Sequence, residues 1–391
     1  MRNEINCIRC KGRELCRRES CPFKEAFSRI RTIRLEKTVD AITPPSIFVG
    51  RFGYPKVSVG PLGVQEENIM LETPEKWISA DIPEFLSSRI SMIHGRTLRD
   101  VRERDRVVES IQEIAMSTRP NEVEMRFEKE PRVREIFDDI VAPIGVAGEV
   151  RVLRVLDNPK IPKKVDELLE ENMRAEIWVR ELYESGFSNY YIEQILSSGV
   201  AGSEKRRRLV PTRWAITATD DILGRFLIER IRRYPEINEI RVFSGEAMGN
   251  HFEIILLPGR FYFELMEIWM PRDWISETVV EVDREDERGK KEYSSLSGGY
   301  YAARLPVLEY LEGERRCASI VAIREIRPSY WAPLGVWVVR EAARKTMRGE
   351  FRKFESLKEA LEDVKRRVMT PEWLWIKKIE FLKQKSLFDF S

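Results

Sequence analysis

Four of the chain's five cysteines fall in one short stretch, Cys7-x2-Cys10-x5-Cys16-x4-Cys21. A closed tetrahedral metal site needs four thiolates. A Cys-x2-Cys knuckle delivers two from one tight turn, and the later pair folds back to meet them. So short a segment has too little apolar content to fold unaided, so the bound metal would supply the folding energy. Disulfides do not suit a cytoplasmic chain. Zn2+ is the expected occupant of Cys7, Cys10, Cys16 and Cys21. An iron–sulfur cluster is the alternative, because Cys21-Pro22 has the Cys-Pro form that closes some cluster-binding runs. Arg9, Lys11, Arg13, Arg17 and Arg18 are interleaved with the ligands, a pattern suited to phosphates. Cys317 stands alone beside an expected strand and reads as a small buried hydrophobe.

At the other end, Gln384, Leu387 and Phe390 are spaced as one polar hook and two apolar plugs. One tight helical turn brings residues three apart to the same side, so Leu387 and Phe390 could enter one groove together. Lys377, Lys378 and Lys383 precede them and suit an acidic rim. The peptide resembles the PCNA-interacting peptide, Q-x-x-h-x-x-a-a with h aliphatic and a aromatic. It departs at the last position, where Ser391 stands for an aromatic, and an extra ring, Phe388, follows Leu387. Loss of one plug would weaken docking by ~1–2 kcal/mol. The opposing reading has Leu387, Phe388 and Phe390 packing back onto the chain's own core.

Between these ends the chemistry-bearing residues are sparser. Asp220-Asp221 could hold a hard divalent ion with Glu246, His251 or Glu253, as metal-dependent phosphodiester cleavage requires. The alternative is that the aspartates open a helix running to about Arg233, at its positive end. Arg51 and Arg213 lie beside Gly and aromatic residues, where they could bind phosphate or pair with internal carboxylates. Arg206, Arg207 and Arg208 close a polar, Gly-containing loop and are candidates for nucleic-acid contact. His94 reads as a solvated residue in a charged helix. There is no G-x-x-x-x-G-K-[ST] phosphate loop, and two histidines leave little room for a Ser/His/Asp arrangement.

The elements that must hold these residues are mixed. Residues 40–80 are rich in Pro and Gly and predict short strands and turns. Apolar positions at helical spacing predict one or two helices over 84–117, a pair over 163–184 and 188–198, and two more over 335–348 and 356–368. Ile240–Phe243, Phe252–Leu257, Phe261–Trp269 and Ile320–Ile323 read as strands, with Pro258-Gly259 joining the second and third as a hairpin. Residues 282–299 read as a loop. The expectation is an α+β core over 31–380 that could part into two lobes near 160–210. A four-cysteine metal module over 1–30 precedes it, and a flexible tail over 381–391 follows. Both ends are basic, with a net +6 over 1–37 and +5 over 340–391, against −9 between them. Basic ends can follow a phosphate backbone. No apolar run reaches the ~20 residues of a membrane span, and the polar N-terminus lacks a signal-peptide core, so a cytoplasmic protein is expected.

Two core segments are dense in special residues, Val49-Gly50-Arg51-Phe52-Gly53-Tyr54-Pro55-Lys56-Val57-Ser58-Val59-Gly60-Pro61-Leu62 and Pro211-Thr212-Arg213-Trp214-Ala215-Ile216-Thr217-Ala218-Thr219-Asp220-Asp221. With the cysteine head before them and the clamp-type peptide after, the chain resembles the archaeal Nre family of DNA-repair proteins along essentially its whole length. The resemblance implies a role in the DNA-damage response together with the sliding clamp PCNA; DNA is expected as a second partner, bound through the basic ends. It brings no reaction. A DNA-binding factor tethered to the clamp is therefore expected first, and a metal-dependent nuclease or other nucleic-acid-processing enzyme using the acidic core residues is the alternative.

Overall fold

The computed structural model describes Cys21, Lys24 and residues 35–44, 46–66, 74–136, 144–271 and 277–382. Cys7, Cys10 and Cys16, and Gln384, Leu387, Phe388 and Phe390 of the tail, lie outside the described residues. Cys21 is buried and forms no disulfide. The fold is mixed α+β, and the chain divides into two compact units with the boundary between Leu223 and Gly224.

The N-terminal unit opens with β1 (Thr38–Thr43), β2 (Ile47–Val49) and β3 (Lys56–Gly63), then α1 (Ile82–Ser91). Next come β4 (Ile93–Asp100), α2 (Arg106–Met116), β5 (Asn121–Phe127), β6 (Arg132–Ile136) and β7 (Ile144–Val155). Three helices follow, α3 (Lys163–Glu170), α4 (Ala175–Glu184) and α5 (Asn189–Ser197). The long α6 (Thr212–Ile231) then crosses the boundary. The strands form a seven-stranded sheet in the order β1-β5-β7-β4-β3-β2, with β6 also on β7. Asp105 caps α2 by accepting the Val108 amide at 2.9 Å. Val107, Val108, Ile111 and Ile114 then share one buried stripe, each fully buried side chain contributing ~1.5–3 kcal/mol.

One expectation fails here for a clear reason. The apolar spacing over 84–117 does yield α1 and α2, but β4 lies between them, paired antiparallel to β3 and parallel to β7. His94 is therefore a strand residue and is buried, where a solvated helical residue was expected. Burial first, then the charges of Arg89 and Arg96, hold its imidazole well below its ordinary pKa, so it is neutral.

The C-terminal unit contains β8 (Ile240–Ala247), β9 (Asn250–Leu257), β10 (Tyr262–Trp269), β11 (Val279–Asp286) and α7 (Gly298–Glu314). It ends with β12 (Ser319–Ile326), α8 (Trp337–Met347), β13 (Phe351–Phe354), α9 (Leu357–Lys365) and α10 (Glu372–Trp375). Its six-stranded sheet runs β11-β10-β12-β9-β8-β13. The Pro258-Gly259 hairpin is overturned, because β12 inserts between β9 and β10. Ser319 pairs with Leu257 antiparallel and with Tyr262 parallel. A parallel neighbour needs a crossover, and β11 with α7 supplies it. The expected loop over 282–299 accordingly holds the end of β11 and the start of α7.

Strands β9 and β12 are buried along their whole length, as central strands covered on both faces must be. α7 and α8 pack on one face. On the other, Val242, Ile255, Leu257, Met266, Val321 and Ile323 meet Ala360, Val364, Trp375, Ile379 and Phe381. The described chain is pinned at its C-terminal end by Glu264, whose carboxylate accepts the amides of Glu380 and Phe381, each at 2.9 Å.

Candidate nucleic-acid interface

The two dense segments singled out in the sequence come together in the N-terminal unit. Residues 50–55 are the tip between β2 and β3, drawn closed by the Gly50 amide donating to the Ser58 carbonyl at 2.7 Å. Gly53 turns the tip at a φ of +82°, and a Cβ there would lie 2.8 Å from the Lys56 carbonyl oxygen, so only glycine fits. The Val49 amide donates to Thr212 Oγ1 at 2.9 Å, fixing the hairpin against the first turn of α6. Val101 links the same segments a second time. Its amide donates to the Pro55 carbonyl at 2.9 Å, and its carbonyl accepts the Leu209 amide at 2.8 Å.

This arrangement leaves Phe52, Tyr54, Lys56 and Trp214 exposed, with half-buried Arg51 and Arg213 next to them in sequence. Phe52 is 74% exposed, Tyr54 42% and Trp214 46%. The rings of Tyr54 and Trp214 have centroids 5.3 Å apart and are tilted by 49°. The Arg51 guanidinium sits 4.8 Å from the centre of the Phe52 ring, a cation–π contact. Arg51, Lys56, Arg206, Arg208 and Arg213 form no ion pair with any described residue. Uncompensated cations beside exposed rings are the combination that follows a phosphate backbone and stacks bases.

The other predicted residues are placed as follows. Arg206 and Arg208 are exposed on the loop leading into α6, whereas Arg207 turns inward. Its Nε donates to the Gly202 carbonyl at 2.9 Å, and its guanidinium lies 5.7 Å from the Trp178 ring. Burial first, then Arg104, lowers its pKa from the ordinary value. The loop can close this tightly because Gly199, at a φ of +74°, has no Cβ; one there would lie 2.5 Å from the Arg208 backbone. Asp220 and Asp221 do not open a helix. α6 starts at Thr212, about two turns earlier, where the Pro211 carbonyl accepts the amides of Trp214 and Ala215. Asp220 is fully buried and Asp221 half-buried.

His251, Glu253 and Glu246 belong to the C-terminal unit, on β8 and β9. Glu253 is buried and accepts from His251 Nε2 at 2.9 Å, Ser244 Oγ at 2.7 Å and Arg367 Nε at 2.7 Å. Burial pushes its carboxyl up, but the bonds from His251, Arg367 and Ser244 outweigh that and hold it below the usual range. Glu246 pairs with Arg327. The serine and the histidine both bond to the glutamate, so no imidazole stands between Ser244 and a carboxylate, as an activated nucleophile requires. Among the described residues no group of three or more His, Cys, Asp or Glu side chains is placed to hold a metal ion. Further buried pairs, Arg324 with Glu267 and Arg304 with Glu285, knit the same unit.

Sequence reasoning located the two segments and Arg51 and Arg213, but gave no role to Phe52, Tyr54 or Trp214. A ring beside Gly or Pro in a turn carries no periodic signal. Only the closeness of the segments reveals it. It also missed Arg367, whose place beside Glu253 depends on the docking of α9.

Two family models match the chain, archaeal Nre N-terminal over residues 15–275 and archaeal Nre C-terminal over residues 285–390. A DNA repair protein NreA of Archaeoglobus fulgidus is 43% identical over 375 residues, covering 94% of this chain and 95% of that protein. A DNA repair protein NreB of the same organism is 37% identical, covering 99% and 100%. A DNA repair protein NreA of Haloferax volcanii is 35% identical, covering 85% and 84%. No solved structure matches the fold. The two models span residues 15–275 and 285–390, which include both dense segments, and the chain belongs to the archaeal Nre family.

Proposed function

We propose that this chain is a DNA-repair factor that binds DNA and is held at its site of action by the sliding clamp PCNA. The observation that carries the DNA part is the set of exposed Lys56, Arg206 and Arg208 with half-buried Arg51 and Arg213, whose cations have no carboxylate partner among the described residues. The buried and half-buried Arg241, Arg304, Arg324, Arg327, Arg344 and Arg367 of the C-terminal unit each meet a carboxylate. Cations left uncompensated on a folded surface favour an anionic partner. The repair role agrees with the names of the relatives.

The clamp part rests on Gln384, Leu387 and Phe390, with Phe388 as an added ring. A tether of this kind raises local concentration without adding chemistry. The four-cysteine head would hold Zn2+ through Cys7, Cys10, Cys16 and Cys21, contributing a folded, basic module. The donor set is all thiolate, which suits zinc and an iron–sulfur cluster alike. No arrangement of the acidic side chains among the described residues supports the nuclease alternative.

The test is a titration of the cognate sliding clamp onto the full chain bound to primed DNA. It is repeated with Leu387→Ala plus Phe390→Ala and with residues 384–391 removed. The reading expects a ternary complex that both changes abolish while DNA binding and folding persist. A ternary complex indifferent to the tail would refute the tether, and a chain that binds no DNA would refute the factor.

A further inference from the structure

The rings of the N-terminal unit add something the cations alone do not. Resting on the DNA-binding reading above, we propose that Phe52, Tyr54 and Trp214 form a stacking platform for unpaired bases, so that the surface selects single-stranded over duplex DNA. Scattered exposed apolar residues need no explanation. These three do, because Phe52 and Tyr54 share one tip and the fold brings Tyr54 against Trp214 from a distant segment, held by the Val49–Thr212 and Val101 hydrogen bonds.

Each ring keeps a usable face. Tyr54 and Trp214 are tilted by 49° instead of lying face to face, so neither closes the other's π surface. Arg51 covers Phe52 from one side at 4.8 Å, which leaves the other side for a base and places a charge where the adjoining phosphate would run. Along α6, Trp214 and Arg225 are exposed while Ala215, Thr219 and Leu223 face the interior. Trp214 is thus on the solvent side by helical phase and is not a core residue that has come loose.

Stacking distinguishes DNA forms for a simple reason. In a duplex both faces of every internal base are already covered by neighbours, whereas a single strand offers bare π faces. Aromatic contact with a base is tolerant of sequence and is worth about ten-fold in affinity per ring. Cations bind either form through phosphate. Cations without rings would hold both forms. Rings with cations hold the open one more tightly.

The experiment uses the full chain and three fluorescein-labelled probes, an oligo(dT) of about 15 nucleotides, within the usual site sizes for such surfaces, an oligo(rU) of the same length, and a hairpin duplex. Fluorescence anisotropy gives the ratio of the two DNA affinities for the native protein, Phe52→Ala, Trp214→Ala, their combination, and Trp214→Phe. Far-ultraviolet circular dichroism and thermal melts check that each variant folds. The expected result is a preference for oligo(dT) that falls about ten-fold with either alanine and further with both, and that Trp214→Phe largely keeps. Native protein that binds DNA with no preference, or with a preference that ignores the alanines, overturns the platform while leaving the DNA-binding reading intact. A chain that binds neither DNA probe overturns that reading as well. Tighter binding to oligo(rU) than to oligo(dT) would show that the strand it selects is not DNA.

Discussion

The backbone amide of Val49 donates to the side-chain oxygen of Thr212 at 2.9 Å, across 163 residues of sequence. That bond joins the hairpin carrying Arg51, Phe52 and Tyr54 to the helix start carrying Arg213 and Trp214. Ser197 Oγ lies 3.2 Å from the same Thr212 oxygen and donates at 2.9 Å to the Val210 carbonyl. The hydroxyl is thus the hinge pin of the surface.

Thr212→Val removes that acceptor at almost unchanged volume and strands a part-buried amide. The expected loss of stability is about 1–2 kcal/mol, measured by urea unfolding, and Thr212→Ser should restore most of it. If Thr212→Val unfolds with the native midpoint, the hairpin is held by something other than this bond.

Glu253 gives the C-terminal unit a pH signature. Its folded carboxyl lies below the ordinary range, so its contribution is present above the unfolded value of about 4.3 and is lost as pH falls through the folded value. Among the described residues Glu253→Gln leaves Arg367 with only Asp363 as a charged partner and should cost about 3 kcal/mol at neutral pH. The variant should also lose less stability than the native chain on acidification. Parallel acid limbs in the two unfolding series would contradict this.

Glu264 has the opposite sign. Burial raises its pKa, and hydrogen bonds from Tyr262 and from the amides of Glu380 and Phe381 offset only part of the rise. Its contribution is therefore greatest below the unfolded value and declines as pH rises through the folded one. It nonetheless supplies the acceptors for the last two bonds that pin residues 380–381. Glu264→Ala should raise hydrogen exchange at those two amides at least about ten-fold, without comparable change in β9. Exchange unchanged at Phe381 would show that the apolar packing of its ring suffices.

The cysteine head should carry one metal site per chain. Metal analysis of the native protein is expected to show it, with Cys7→Ser or Cys16→Ser losing the metal and a chelator unfolding the head. Zinc would give a colourless protein and a cluster a brown one. Full metal content in the serine variants would remove these residues as ligands.

Periodic segments were the readable part of this fold. The stripe Val107, Val108, Ile111, Ile114 and the apolar run of β9 announced themselves because local spacing follows the helix or strand period. β4 was hidden because its eight residues lie between two amphipathic helices and its pairing partners are distant. The insertion of β12 beside β10 was equally silent, since Pro258-Gly259 is a local signal for a turn and says nothing about which strand comes back to fill the gap. The two aspartates misled in the same way. Asp220 is a buried helix residue, and the true start of α6 was marked by Pro211-Thr212 instead. The candidate interface was half legible, as residue types without a geometry. What was missing were the bonds through Thr212 and Val101 that bring the two segments together.

The most direct measurement is the affinity of the full chain for duplex DNA as a function of salt, for the native protein and for Arg51→Ala with Arg213→Ala. If these two arginines meet phosphates, affinity falls about ten-fold or more at physiological salt. The slope of log K against log salt then shrinks by about 2, close to one for each phosphate that is no longer neutralised. Unchanged affinity and slope, in a variant that folds as the native chain does, would contradict the account.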